Sequence, residues 1–239
     1  MSDCFEVILL TFLAGAAMPL GAIIAKVERI RRRWLERELR HGVIAFGGGA
    51  LLAAVALVLI PEGIQGMPMF LIVLCFGAGA VLFMLLDIWL TKSGTPMSQL
   101  IAMLSDFIPE SMALGAFFVV SRPSSLLLAA IIGLQNIPEG FNAYRELRAS
   151  THMPCGKIIA VFSALAMLGP LCGVLGFYFL SQSTILVSGI MLFAAGGILY
   201  LIFQDIAPQA KLENHWAPPL GAVAGFLFGV VGKVLIDGL

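Results

Sequence analysis

Eight runs of roughly 20 apolar residues follow one another along this chain, separated by short polar stretches. A helix needs about that length to cross the hydrocarbon of a bilayer. Only helices and closed barrels satisfy every backbone group there. The runs fall at about 4–26, 42–62, 68–91, 99–121, 124–146, 157–181, 184–208 and 216–237. The expected fold is therefore all-α: an integral membrane protein with eight transmembrane helices forming one domain over residues 1–239. Composition agrees, because the chain is 60% hydrophobic and 12% charged, about half the charged fraction of an ordinary soluble domain.

The connections read as turns, such as "GIQGMP", "SRPSS" and "SQS", so neighbouring helices should run antiparallel. Only "KVERIRRRWLERELRH" (26–41) makes a sizeable loop. Basic residues sort by side. Lys26, Arg29, Arg31, Arg32, Arg33, Arg37 and Arg40 fall in the first odd loop. Lys92, then Arg145, Arg148 and Lys157, and then Lys211 follow in the other loops of that side, against Arg122 alone opposite. The positive-inside rule puts both termini on the non-cytoplasmic side. The acidic opening "MSDCFEV" argues against a cleavable signal, so the first helix is expected to direct insertion. Short loops and compact length fit a bacterial inner membrane. With no net charge, a nucleic-acid partner is not expected; the bilayer is, and a homodimer stays open. Cys4, Cys75, Cys155 and Cys172 are scattered and read as small apolar fillers. Neither a phosphate-binding loop nor an HExxH or nucleophile–base motif occurs, so neither an enzyme nor an organic cofactor is expected.

Acids interrupt the fourth and fifth runs. "MLSDFIPESMALG" (103–115) holds Asp106, Pro109 and Glu110, while "GLQNIPEGFNAY" (133–144) holds Gln135, Asn136, Pro138 and Glu139. One carboxylate near mid-membrane costs roughly 2.5–3.5 kcal/mol, so three facing lipid would cost on the order of 8–10 kcal/mol. Water, protons or a cation must offset that. Asp106 and Glu110 are four apart and share a helix face. Gln135, Glu139 and Asn142 form a matching stripe, with Asn136 at its border. Each proline also frees a carbonyl, those of Ser105 and Leu134. Two antiparallel helices would then pool Asp106, Glu110, Gln135 and Glu139 around one cation, with Ser105 beside them. Glu62 and Asp205, each near a proline at a helix end, become candidate pathway ligands if helices 1–3 and 6–8 form an inverted repeat. Asp87 and Lys233 read as snorkelling or paired residues near helix ends. Glycines in "FGGGA", "FGAGA" and "FAAGG" read as close-packing surfaces.

These motifs resemble those of the ZIP (zinc/iron-regulated transporter-like) metal transporters, most closely their GufA-like branch. "QNIPEG" matches the family's fifth-helix motif throughout, and "DFIPES" is similar to its fourth-helix motif. "FGGGALLAAVALVLIPEG" and "QDIAPQAKLENHWAPPLGAVAGFLFG" resemble further segments, so the likeness covers most of the chain. The resemblance implies a ZIP-like eight-helix bundle and uptake of a divalent metal, zinc by family default. By motif position it puts the primary metal site on Asp106, Glu110, Gln135 and Glu139, and a family methionine on Leu51. Asp106 stands where the family has histidine, Phe107 replaces the motif asparagine, Ser111 a glycine and Gly169 a sixth-helix acid. The auxiliary metal position is thereby lost and a single site is expected. An all-oxygen shell suits manganese or ferrous iron better than a nitrogen or sulfur shell does. The competing expectation is a membrane protein of this fold that has lost or altered transport and acts as a metal-responsive or structural partner.

Overall fold

The computed structural model describes residues 2–28, 33–93, 98–211 and 216–238. Among them the chain forms eight helical rods and no strand. These are α1 (Asp3–Val27), α2 (Arg33–Ala54, a π-helical turn Val55–Leu59, then Ile60–Gly63), α3 (Met69–Ser93) and α4 (Ser98–Phe118). They continue with α5 (Arg122–Ser150), α6 (Cys155–Ala166, Leu168–Leu175 and the π-helical turn Gly176–Leu180), α7 (Thr184–Leu201, the π-helical turn Ile202–Ile206, then Ala207–Ala210) and α8 (Ala217–Asp237). The turns lie where the sequence puts them. Gly66 takes φ +69° between α2 and α3, a left-handed conformation that favours glycine. Ser121 and Ser183 each accept a bond at 3.4 Å from a backbone N–H at the start of α5 and α7, capping donors that have no helical partner.

The charged run 26–41 reads as a solvated helix or an anionic-lipid contact, and its residues 33–41 are helical, as the start of α2. One expectation is corrected. Of the eight rods, six, not eight, are long and apolar enough to cross a membrane: Asp3–Val27, Arg40–Gly63, Met69–Lys92, Cys155–Leu180, Thr184–Ala210 and Ala217–Asp237. Among the described residues α4 and α5 are not in this set; α5 carries Gln135, Asn136 and Glu139 and ends in the charged "YRELRAS". Both run through Pro109 and Pro138 without a break in helix.

Burial sorts the apolar rods. The membrane-length window is 67% buried in α2 and 61% in α7, but 11% in both α3 and α8. The first pair is therefore central and the second peripheral, with Met69, Phe70, Val73, Leu220 and Leu235 exposed to the surroundings. Four seams hold the bundle, α2 on α8, α3 on α7, α1 on α5 and α4 on α6. Each is made by reciprocal glycines whose missing side chains admit the partner's backbone. In the first seam Gly49 faces the Ala222 carbonyl and Gly225 that of Phe46; in the second Gly79 faces Phe193 and Gly196 faces Phe76. In the third Gly21 faces Ile137 and Gly140 faces Met18, and in the fourth Gly115 faces Gly173 and Gly176 faces Met112. Small residues let membrane helices approach to backbone contact, where dispersion rather than water expulsion holds them. Polar ties add to this. Asn136 Nδ2 donates to the Ala14 carbonyl at 2.9 Å, and Tyr200 donates its hydroxyl to Asp87 at 3.0 Å. Arg122 pairs with Glu6 at the start of α1. Pooled between α4 and α5, the polar stripes are left facing α2 and α7.

Candidate functional site

A cavity of about 70 Å³ lies between α2, α4, α5 and α7, several times the space one water needs. Asp106 reaches it from α4; Gln135, Glu139 and Asn142 come from α5, and Asp205 and Gln209 from α7. Ile44, Leu51, Met103, Leu201 and Ile206 complete an apolar wall, with Gly47, Gly48 and Pro138 between them. Helix geometry explains the α5 contribution. Residues 135, 139 and 142 lie on one stripe, so one face delivers all three. The π-helical turn in α7 swings Asp205 inward, a common use of such turns at functional sites.

The buried, unpartnered polar atoms at this cavity are all of one kind. Asp106 Oδ1, Gln135 Oε1, Glu139 Oε2 and Asn142 Oδ1 are buried and have no hydrogen-bond partner. All four are acceptors. A buried acceptor without a donor costs about 1–3 kcal/mol, more for a charged group. The arrangement therefore calls for a ligand that supplies positive charge or donors. Gln135 is 1% exposed, and its other end is fixed: Nε2 donates to Glu110 at 3.0 and 2.9 Å, one bond to each carboxylate oxygen. The opposite amide orientation would set two acceptors against each other.

The predicted residues divide accordingly. Asp106, Gln135 and Glu139 meet at the cavity, joined by Asn142, Leu51 and Asp205. Glu110 is 3% exposed but lies outside the cavity lining, behind Gln135. Asn136 is turned toward α1 by its bond to Ala14. Ser105 donates to the Ile101 carbonyl at 2.7 Å and lines a smaller adjoining pocket with Asp106, Asp205 and Asp87. Glu62 accepts from Gln65 at 3.1 Å on the surface, at the far end of α2, and reaches no part of the site. Asp87, read from the sequence as snorkelling or paired, is paired: its partner Tyr200 is 113 positions away.

Phe107 and Gly169 pack against each other. The Phe107 ring is fully buried and lies over Gly15 and Gly169; a Cβ on Gly169 would meet its Cζ at 2.6 Å. An aromatic ring thus fills the room an acid at 169 would need, and no polar pair forms there. Among the described residues no group of three or more His, Cys, Asp or Glu side chains converges closely enough to hold a metal ion. Any cation bound here would rely on the amide oxygens of Gln135 and Asn142 as well as on carboxylates. No protein-family model matches the chain, and neither does any curated protein.

Proposed function

We propose that this chain is a secondary transporter that carries a divalent metal cation to the cytosol through the cavity between α4 and α5. The carrying observation is the set of four buried, unpartnered acceptor oxygens from Asp106, Gln135, Glu139 and Asn142 around one small cavity. In a membrane such a set is tolerated where it lines an ion path. All donors are oxygen, which favours manganese or ferrous iron over the zinc that the ZIP resemblance implies.

On this reading α4 and α5 carry the path inside a surround of α1, α2, α6 and α7, with both termini outside a bacterial inner membrane. Packing supports an inverted repeat of α1–α3 and α6–α8. Exchanging α1 with α6, α2 with α7, α3 with α8 and α4 with α5 carries the α2–α8 seam onto α7–α3 and the α1–α5 seam onto α6–α4. It also carries one buried central rod onto the other, one exposed rod onto the other, and the π-turn and proline of α2 onto those of α7. Rocking of such repeats is a general means of exposing a central site to alternate sides.

A second reading has one observation in its favour. The lack of a three-residue metal cluster among the described residues suits a ZIP-like membrane protein that no longer transports. Metal flux into proteoliposomes separates the two. Wild-type protein should carry manganese, and Glu139→Ala should reduce flux by at least about 100-fold, as expected for loss of a charged ligand. Equal flux in both removes the site; no flux of manganese, iron or zinc in either favours the second reading.

A further inference from the structure

The two interrupted motifs superpose in sequence: Asp106-x-x-Pro109-Glu110 on α4 and Gln135-x-x-Pro138-Glu139 on α5. They differ in one chemically decisive position. Gln135 has an N–H₂ group and uses it to satisfy both oxygens of Glu110. Asp106, its counterpart, has no N–H to offer, so Glu139 Oε2 and Asp106 Oδ1 remain without donors on the cavity wall. Of two equivalent layers, one is closed by an internal amide and one is left to be closed from outside.

From this asymmetry, and resting on the cation-transport reading above, we infer that Glu110 is a positioning residue rather than a ligand. It clamps the Gln135 amide so that Oε1 points into the cavity, and the cation binds to Asp106, Glu139 and that Oε1. The clamp also explains why Glu110 tolerates burial at 3% exposure: the Gln135 amide, shared between its two oxygens, replaces water. An amide anchored by a carboxylate cannot rotate to present its N–H₂ to the cation, as a free glutamine could. Selection for a cation over a hydrogen-bond acceptor is thus built into the Glu110–Gln135 pair.

Purified protein in detergent tests this through the rise in unfolding temperature with added Mn²⁺, since a ligand that binds only the folded state stabilises it in proportion to occupancy. Glu110→Gln leaves an acceptor for the Gln135 amide, so the Mn²⁺ response should persist at about tenfold higher concentration, the difference between a charged and a neutral acceptor. Glu110→Leu frees the amide, and the response should weaken by roughly 100-fold. Asp106→Asn should abolish the response. In chelator, though, it should unfold at or above the wild-type temperature, because the new amide supplies the donor Glu139 lacks. Should Glu110→Gln fold poorly, the exchange Glu110→Gln with Gln135→Glu keeps an amide–carboxylate pair in reverse and should retain the response. A Glu110→Gln protein, or the exchange, that folds yet answers Mn²⁺ no better than Asp106→Asn makes Glu110 a ligand and overturns the inference alone. A wild-type protein without any response overturns the inference and the cation site together.

Discussion

The Gln135–Glu110 layer divides the centre of the bundle into two unlike halves. On one side Val55, Val58, Leu59, Leu114, Phe117, Leu128, Ile131, Ile132, Met191 and Leu192 are all buried to 2% exposure or less. On the other lies the cavity, bordered by Asp106, Glu139, Asn142, Asp205 and Gln209. Chain direction shows which ends these are. The cavity half includes the part of each helix that adjoins Lys92, Arg145, Arg148 or Lys211, and the packed half adjoins Arg122. The corresponding π-turn ends differ in the same sense: Asp205 borders the cavity while Glu62 bonds only to Gln65. A bundle whose seams pair off symmetrically thus carries its polar cavity in one half only, the half of the basic loops. The difference teaches that where space remains in this bundle is a matter of packing, not of seam symmetry.

The sharpest break of this comparison is a matched truncation. Leu128 and Met103 are each 2% exposed and similar in size, but only Met103 borders the cavity. Leu128→Ala should cost about 4 kcal/mol, because close-packed neighbours cannot relax into the void. Met103→Ala should cost nearer 2 kcal/mol, since its site already adjoins space that water can enter. Unfolding by denaturing detergent, monitored by circular dichroism, gives both values. Equal losses would mean that the two halves are packed alike.

A chemical probe comes next in size. With Cys4, Cys75, Cys155 and Cys172 replaced, Asn142→Cys and Gln209→Cys should react with a charged, membrane-impermeant thiol reagent at least about tenfold faster than Val58→Cys or Leu128→Cys. A tenfold ratio corresponds to roughly 1.4 kcal/mol of opening free energy. Fast labelling at Val58 would show that the packed half opens too.

Much of this was legible in the residues. Helix positions follow from apolar length, and the α5 stripe follows from spacing alone, so Gln135, Glu139 and Asn142 were read onto one face and lie on one face. The same spacing rule put Glu110 on the face of Asp106, but spacing carries no information on which side chain bonds which, and the Gln135 amide bonds Glu110. Counting spans by apolar runs overstated the membrane test for α5, because the polar groups on its stripe are those that lower its hydropathy. Pairings across long chain separations, Phe107 against Gly169 or Asp87 with Tyr200, have no local signal at all.

The smallest expected effect is at Gly48, set against its neighbour Gly49. A Cβ at Gly49 would fall on the Ala222 carbonyl, with the Phe226 backbone nitrogen at 2.9 Å. Main chain cannot step aside without parting α2 from α8, and overpacking of this kind costs about 1–3 kcal/mol. A Cβ at Gly48 would meet only the Ile206 side chain, at 2.7 Å from its Cγ2. That methyl has room, because Gly48 and Ile206 border both the polar cavity and an apolar groove of about 620 Å³ between α2, α7 and α8. Gly48→Ala should therefore leave stability within about 1 kcal/mol of wild type, helped by alanine's better helix propensity, and reduce cation flux only severalfold by narrowing the cavity. Gly49→Ala should lower stability with no selective effect on cation affinity. If Gly48→Ala destabilises as much as its neighbour, Ile206 is held as rigidly as a seam, and the half of the bundle that carries the cavity is packed after all.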